Sequence, residues 1–164
     1  AAIEKVPDAM VVGMERVTER GLENVRFLDR DAANLLDMFA PGEVSRIYIN
    51  FPDPWKKSRQ YKRRLTYAGF LALYANVLPL GGEIWFKTDN DPLFEWSIEE
   101  IPQFGFELSE VTRDLHANGQ RGVMTDYEAK ILCRGQEHQP LRRHDAAVGR
   151  ARGRGYARRG GRNG

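Results

Sequence analysis

The sequence predicts an α/β fold: a doubly wound, mostly parallel sheet with helices on both faces, finished by an antiparallel strand pair. Short apolar runs alternate with helix-spaced segments in the order β-α-β-α-β-α-β-α up to about Ile101, the pattern of parallel strands joined by crossover helices. Two further apolar runs, Phe104 to Val111 and Thr125 to Cys133, follow with no helical pattern between them, which predicts antiparallel neighbours. The 164 residues are 41% hydrophobic and 29% charged. That is enough for one domain whose core needs no disulfide staples.

Ala1-Ala2-Ile3-Glu4 has the character of a buried strand's end. A helix is expected from Pro7 to about Arg20, with proline where its missing N–H does no harm. Val6, Met10, Met14 and Val17 keep helical spacing, and Gly21 is placed to stop it. Val25 to Leu28 predicts a short strand, Asp31 to Phe39 a short helix, and Ser45 to Asn50 the next strand. Phe51-Pro52-Asp53-Pro54-Trp55 follows, and its two prolines predict a stiff turn. Thr66 is expected to cap a helix whose apolar face is Phe70, Leu73, Tyr74, Val77 and Leu78, ended by Pro79 and Gly81-Gly82. Glu83 to Lys87 predicts a strand, Thr88-Asp89-Asn90 its exit loop, and Asp91 to about Ile101 a helix. Met10, Met14 and Met38 are expected in the core, with Trp85 and Trp96 packed against the sheet.

Several classes are disfavoured at once. Cys133 is the only cysteine, which excludes disulfide frameworks and multi-cysteine zinc sites and suits a reducing compartment. His116, His138 and His144 lack metal-ligand spacing, so no metal is expected. No stretch has the apolar length of a membrane-spanning helix. The net charge of +2 conceals an uneven distribution: residues 134–164 carry nine arginines against Glu137 and Asp145, while residues 1–133 carry 16 bases against 21 acids. Within that acidic body, Lys56, Lys57, Arg59, Lys62, Arg63 and Arg64 crowd into nine residues. One concentrated basic segment predicts a local polyanion contact, with a solvated loop as the plainer alternative.

Ligands of parallel sheets bind at the carboxyl ends of the strands. Glu4, Asp31, Asp53 and Asp89 all fall at or just past such ends. Glu4 is placed to accept hydrogen bonds from ribose hydroxyls, and Asp31 from an adenine amino group. Asp31 and Asp91 suit plain helix caps equally well. In Asn50-Phe51-Pro52-Asp53-Pro54-Trp55 the prolines fix the backbone on both sides of an acid beside a flat aromatic face. Nucleobase chemistry needs that combination, and the basic run directly after it suits phosphates. Tyr61 either stacks on a base or packs internally.

The segment from Asn50 through Pro52-Asp53-Pro54-Trp55 and Lys62-Arg63-Arg64 to Thr66 resembles the hallmark of bacterial tRNA (guanine-N7)-methyltransferases of the TrmB type. Gly81-Gly82, Lys87-Thr88-Asp89-Asn90, Leu93-Phe94-Glu95-Trp96 and Thr125-Asp126-Tyr127-Glu128 extend the likeness in order, over about Ile3 to Lys130. The resemblance implies a Rossmann-like class I methyltransferase fold and a cytoplasmic enzyme that methylates guanine N7 in tRNA with S-adenosyl-L-methionine. It implies that Glu4 holds the cofactor's ribose and Asp31 its adenine, and that Asp53, the implied catalytic residue, lies where cofactor and guanine meet. Lys57, Asp89, Thr125, Asp126, Tyr127 and Glu128 would contact the substrate, and Lys62, Arg63 and Arg64 the tRNA backbone.

Two departures qualify the likeness. The family's glycine-rich cofactor loop belongs upstream of Glu4, so the chain is expected to be an N-terminally truncated methyltransferase domain over residues 1–133. The Arg/Gly-rich segment 134–164 matches nothing in the family and is expected to be disordered. The family's usual His and Pro are replaced by Gln60 and Lys56. The alternatives are a catalytically silent RNA-binding fragment of such an enzyme and, less favoured, a nucleotide-dependent oxidoreductase, since an acid after the second strand also suits the ribose of NAD.

Overall fold

The computed structural model describes residues 1–109, 111 and 149–153. Two parallel strand pairs carry the fold. β1 (Ala2–Glu4) pairs with β2 (Phe27–Asp29), Glu4 standing opposite Asp29. β3 (Arg46–Asn50) pairs with β4 (Glu83–Lys87), Asn50 opposite Lys87. β5 (Phe106–Ser109) and β6 (Gly149–Gly153) complete a four-stranded sheet of order β3-β4-β6-β5, with β6 antiparallel to both neighbours. Among the described residues the expected α/β arrangement of parallel strands and crossover helices is present, with β1-β2 hydrogen-bonded as one pair and the other four strands as a second sheet.

α1 (Pro7–Glu19) begins at proline and ends as its sequence predicts. Gly21, at φ +61°, lets its own N–H reach the Thr18 carbonyl and the Leu22 N–H reach that of Val17, satisfying two terminal carbonyls. Its packing face differs from the expected one. Val6 and Met14 are exposed and no α1 residue is fully buried. Contact with β2 runs through Gly13, where a Cβ would sit 3.0 Å from the Phe27 ring. Met10 and Met38 are half-buried, Met38 against the core.

A 3-10 turn (Ala32–Asn34) leads into α2 (Leu35–Met38). α3 spans Ala68–Val77 and buries Tyr74 and Val77 of the expected face, with Leu78 buried just past its end and Phe70 and Leu73 packed at the margin; Leu71, absent from that face, is buried as well. Burial pushes the Tyr74 phenol's pKa far up. Thr66 does not cap this helix: Tyr67 stands at the N-cap, and the buried Thr66 hydroxyl meets the Ser97 hydroxyl at 2.7 Å. α4 (Asp91–Phe104) is capped by Asn90 rather than Asp91, the Asn90 side chain accepting the Leu93 N–H at 2.9 Å. Gly105, at φ +108°, ends it.

One apolar core joins these elements. Ile49, Ile84, Phe86 and Phe106 meet Leu71, Tyr74 and Val77 of α3 and Leu93, Phe94 and Ile101 of α4. The alternation of β3 and β4 puts Tyr48 and Trp85 on the other face, with ring centres 5.7 Å apart, so Trp85 is half-buried and outside the core.

The expected strand Thr125 to Cys133 lies outside the described residues. The antiparallel partner of β5 that the structure does describe is Gly149–Gly153, which belongs to the Arg/Gly-rich segment. Strand pairing uses backbone groups, which any non-proline sequence supplies. In register, Gly149, Ala151 and Gly153 stand opposite Phe86, Ile84 and Phe106.

Candidate active site

Parallel pairing with level ends delivers the acids in two pairs. After β1, one Glu4 carboxylate oxygen accepts the N–H groups of Lys5 and Val6 at 2.8 and 2.9 Å, which turns the chain into α1. After β2, Asp31 caps the 3-10 turn, accepting the Ala33 N–H at 2.9 Å, while Lys5 Nζ lies 3.2 Å from its other oxygen. That amide, chiefly, holds the Asp31 carboxyl below its ordinary pKa; Lys5 adds to the effect and partial burial opposes it. Asp31 is therefore a cap and an acid at the strand end together. Lys5 ties the two acids' segments to each other, a role that no pattern in the sequence marks.

The second pair sits past β3 and β4. The Phe51 N–H donates to the Lys87 carbonyl at 2.8 Å, so the ladder continues one step and both exit loops leave the sheet at the same level. Asp89 is exposed in a loop fixed on its far side, where the Asn90 N–H bonds the buried Thr88 hydroxyl at 3.1 Å. Asp53 is exposed at the tip of the proline turn. Phe51 and Trp55, two residues before and after it, adopt φ of +50° and +42°. Left-handed backbone costs an aromatic residue about 1–3 kcal/mol, so this turn is held in shape by its surroundings. The prolines announce a stiff turn; the two strained residues have no sequence signal.

The basic run forms a 3-10 turn, Ser58–Arg63, with Lys57 at its N-cap. Lys56, Lys57, Arg59, Lys62 and Arg63 are exposed, and the Arg63 guanidinium lies 5.1 Å from the centre of the Trp55 ring. Arg64 behaves differently. It is 3% exposed, beneath the surface expected to grip a nucleic-acid backbone, and its Nε donates to the Pro54 carbonyl at 3.0 Å. Tyr61 packs internally: Arg64 lies 3.8 Å from its ring centre, and Trp96 6.0 Å away on α4. Thr125, Asp126, Tyr127 and Glu128, with Cys133 and the three histidines, lie outside the described residues. Among the described residues no helix is long and apolar enough to cross a membrane.

Acids at the ends of parallel strands, beside a strained proline turn and a basic surface, define the class: an α/β protein with its polar groups gathered past the carboxyl ends of its parallel strands. Solved structures share the architecture. A SAM-dependent O-methyltransferase from Thermotoga maritima superposes with a TM-score of 0.56 at 15% identity, over 95% of this chain and 50% of that one. NSun6 from Pyrococcus horikoshii gives 0.59 at 16% identity, over 92% of this chain and 40% of that one. At such identities the likeness establishes the Rossmann-like methyltransferase fold. Residues 1–141 match the family described as "Putative methyltransferase", and the chain belongs to that family.

Named relatives are nearer in sequence. A tRNA (guanine-N(7)-)-methyltransferase of Geobacillus kaustophilus is 48% identical over 134 residues, covering 81% of this chain and 62% of the relative. One from Streptococcus suis is 50% identical over 124 residues, covering 75% and 58%. One from Bacillus subtilis is 45% identical over 135 residues, covering 82% and 63%. The chain thus spans about three-fifths of the length of these curated relatives.

Proposed function

We propose that this chain carries the substrate face and much of the cofactor pocket of an S-adenosyl-L-methionine-dependent methyltransferase acting on guanine N7 in tRNA. The observation that carries the reading is the turn at Asp53. An exposed carboxylate is held on a strained backbone at a strand end, level with Asp89 and directly before an exposed basic turn. The near-half identity to enzymes of that name supports the substrate.

The acid pair at β1 and β2 fits the cofactor's nucleoside. Carboxylates accept from ribose hydroxyls and from an adenine amino group, and one oxygen of each is already fixed by backbone amides. The surface ion pair of Asp31 with Lys5 is weak enough to yield to a ligand. When bound, S-adenosyl-L-methionine supplies a methyl group on a positively charged sulfur.

Guanine N7 carries its own lone pair, so no general base is required and the protein's work is alignment. A guanine methylated at N7 would carry positive charge on its purine ring. Asp53 and Asp89 stand where fixed negative charge stabilises that ring, and Asp53 is the residue assigned to the reacting centre. Lys57, Lys62 and Arg63 supply exposed cations for phosphates. Thr125, Asp126, Tyr127 and Glu128 remain candidates for substrate contact. In this reading residues 1–133 form the methyltransferase domain, the segment 134–164 adds β6, and tRNA as substrate places the enzyme in the cytoplasm.

The test is methyl incorporation from labelled cofactor into tRNA by this chain, with the modified base identified. Label on guanine N7 is the expected result. Tight tRNA binding with neither cofactor binding nor incorporation would replace the reading with a silent RNA-binding fragment.

A further inference from the structure

Six bases crowd residues 56–64, and five of them face water. Arg64 alone is buried, and no carboxylate among the described residues pairs with it. A guanidinium without a counter-ion is a costly way to fill space. What surrounds it explains its presence. Its guanidinium carbon lies 3.8 Å from the ring centre of Tyr61 and 4.7 Å from that of Trp96, packed into the corner that these two tilted rings make. Its Nε donates to the Pro54 carbonyl at 3.0 Å, and Nη2 reaches the Trp55 carbonyl at a longer 3.4 Å. Those carbonyls follow Asp53 directly, on the side of the turn where Trp55 is strained. On the other side, the Phe51 N–H is held by Lys87.

We propose that Arg64 is the positioning residue of the Asp53 turn: backed by the rings of Tyr61 and Trp96, its fork clamps the Pro54 and Trp55 carbonyls and fixes the backbone that presents Asp53. The catalytic consequence rests on the function proposed above; the clamp itself does not. A lysine keeps the charge but lacks the planar fork, and a methionine keeps the bulk without donors.

The chain's three tryptophans report on the clamp separately. Trp55 lies in the turn, Trp96 forms the wall, and Trp85 lies on the far face of β4. With indole-nitrogen labelling, Arg64→Lys and Arg64→Met should each shift or broaden the Trp55 and Trp96 signals and leave Trp85 unchanged. In methyl transfer, both variants should lower kcat by about 10- to 100-fold with KM for tRNA altered less than about threefold, the signature of misplacement. An unmoved Trp55 signal, or a raised KM at unchanged kcat, overturns the proposal and makes Arg64 an ordinary binding cation. Loss of the Trp85 signal in both variants overturns it too, in favour of a general core role. If the parent chain transfers no methyl, the functional reading fails while the indole signals still decide the clamp.

Discussion

Thr66 and Ser97 share a buried hydroxyl–hydroxyl hydrogen bond of 2.7 Å that pins the entry of α3 to the middle of α4. Because α4 follows the Asp89 loop and the entry of α3 follows the basic turn, this bond couples the Asp89 loop to the basic turn. Thr66→Val leaves the Ser97 hydroxyl buried without that partner and should cost about 1–3 kcal/mol. Adding Ser97→Ala should return part of the loss. Denaturant unfolding of the two single variants and the double variant measures the coupling; strict additivity would show that the hydroxyls do not act as a pair.

Asp31 predicts a definite pH dependence. Its carboxyl titrates below the ordinary carboxylate value of about 4, so the unfolded chain binds the proton more readily than the folded one. The stabilisation is complete above the unfolded value and is lost as pH falls through the folded value. Asp31→Asn, which keeps a capping oxygen, should flatten the loss of stability between about pH 5 and pH 3. Asp31→Ala should cost about 1 kcal/mol near neutrality. Thermal midpoints across that range distinguish the two effects.

What could be learned from the sequence followed local rules. The Pro52–Pro54 turn, the stop at Gly21 and the four strand-end acids depend on neighbours in the chain, and each was legible. Thr66 misled because a threonine before an apolar run satisfies the capping rule, whereas a partner on another helix claimed its hydroxyl. Arg64 misled because a charge run looks like solvent-facing surface until Trp96 of α4 folds over one member. The exposure of Met14 was equally hidden: periodicity defines a stripe, but the breadth of contact depends on what packs against it. β6 escaped notice because backbone pairing does not require the apolar alternation that marks strands.

Gly82 gives a packing test. A Cβ there would stand 2.9 Å from the Leu78 Cβ and 3.0 Å from the Pro79 carbonyl oxygen, a backbone atom with little room to yield. Gly82→Ala should therefore destabilise the fold by about 1–3 kcal/mol. Equilibrium unfolding reads this directly, and a neutral result would mean the connection into β4 relaxes freely.

The exposed bases should reveal themselves through salt. Lys62→Ala and Arg63→Ala should each weaken tRNA binding and lower the slope of log affinity against log salt by about 0.7–0.9. Arg64→Lys should leave that slope unchanged, since the buried guanidinium meets carbonyls rather than phosphates. Equal slopes in all three variants would remove the basic turn from the interface.

The most direct measurement of the central claim is single-turnover methyl transfer beside tRNA affinity for Asp53→Ala. Asp53 is exposed, so its removal should change stability by less than about 0.5 kcal/mol. The rate of transfer to guanine N7 should fall about 100-fold, with tRNA affinity within about threefold of the parent. Equal losses in rate and affinity, or an unchanged rate, would contradict the placement of the chemistry at this turn.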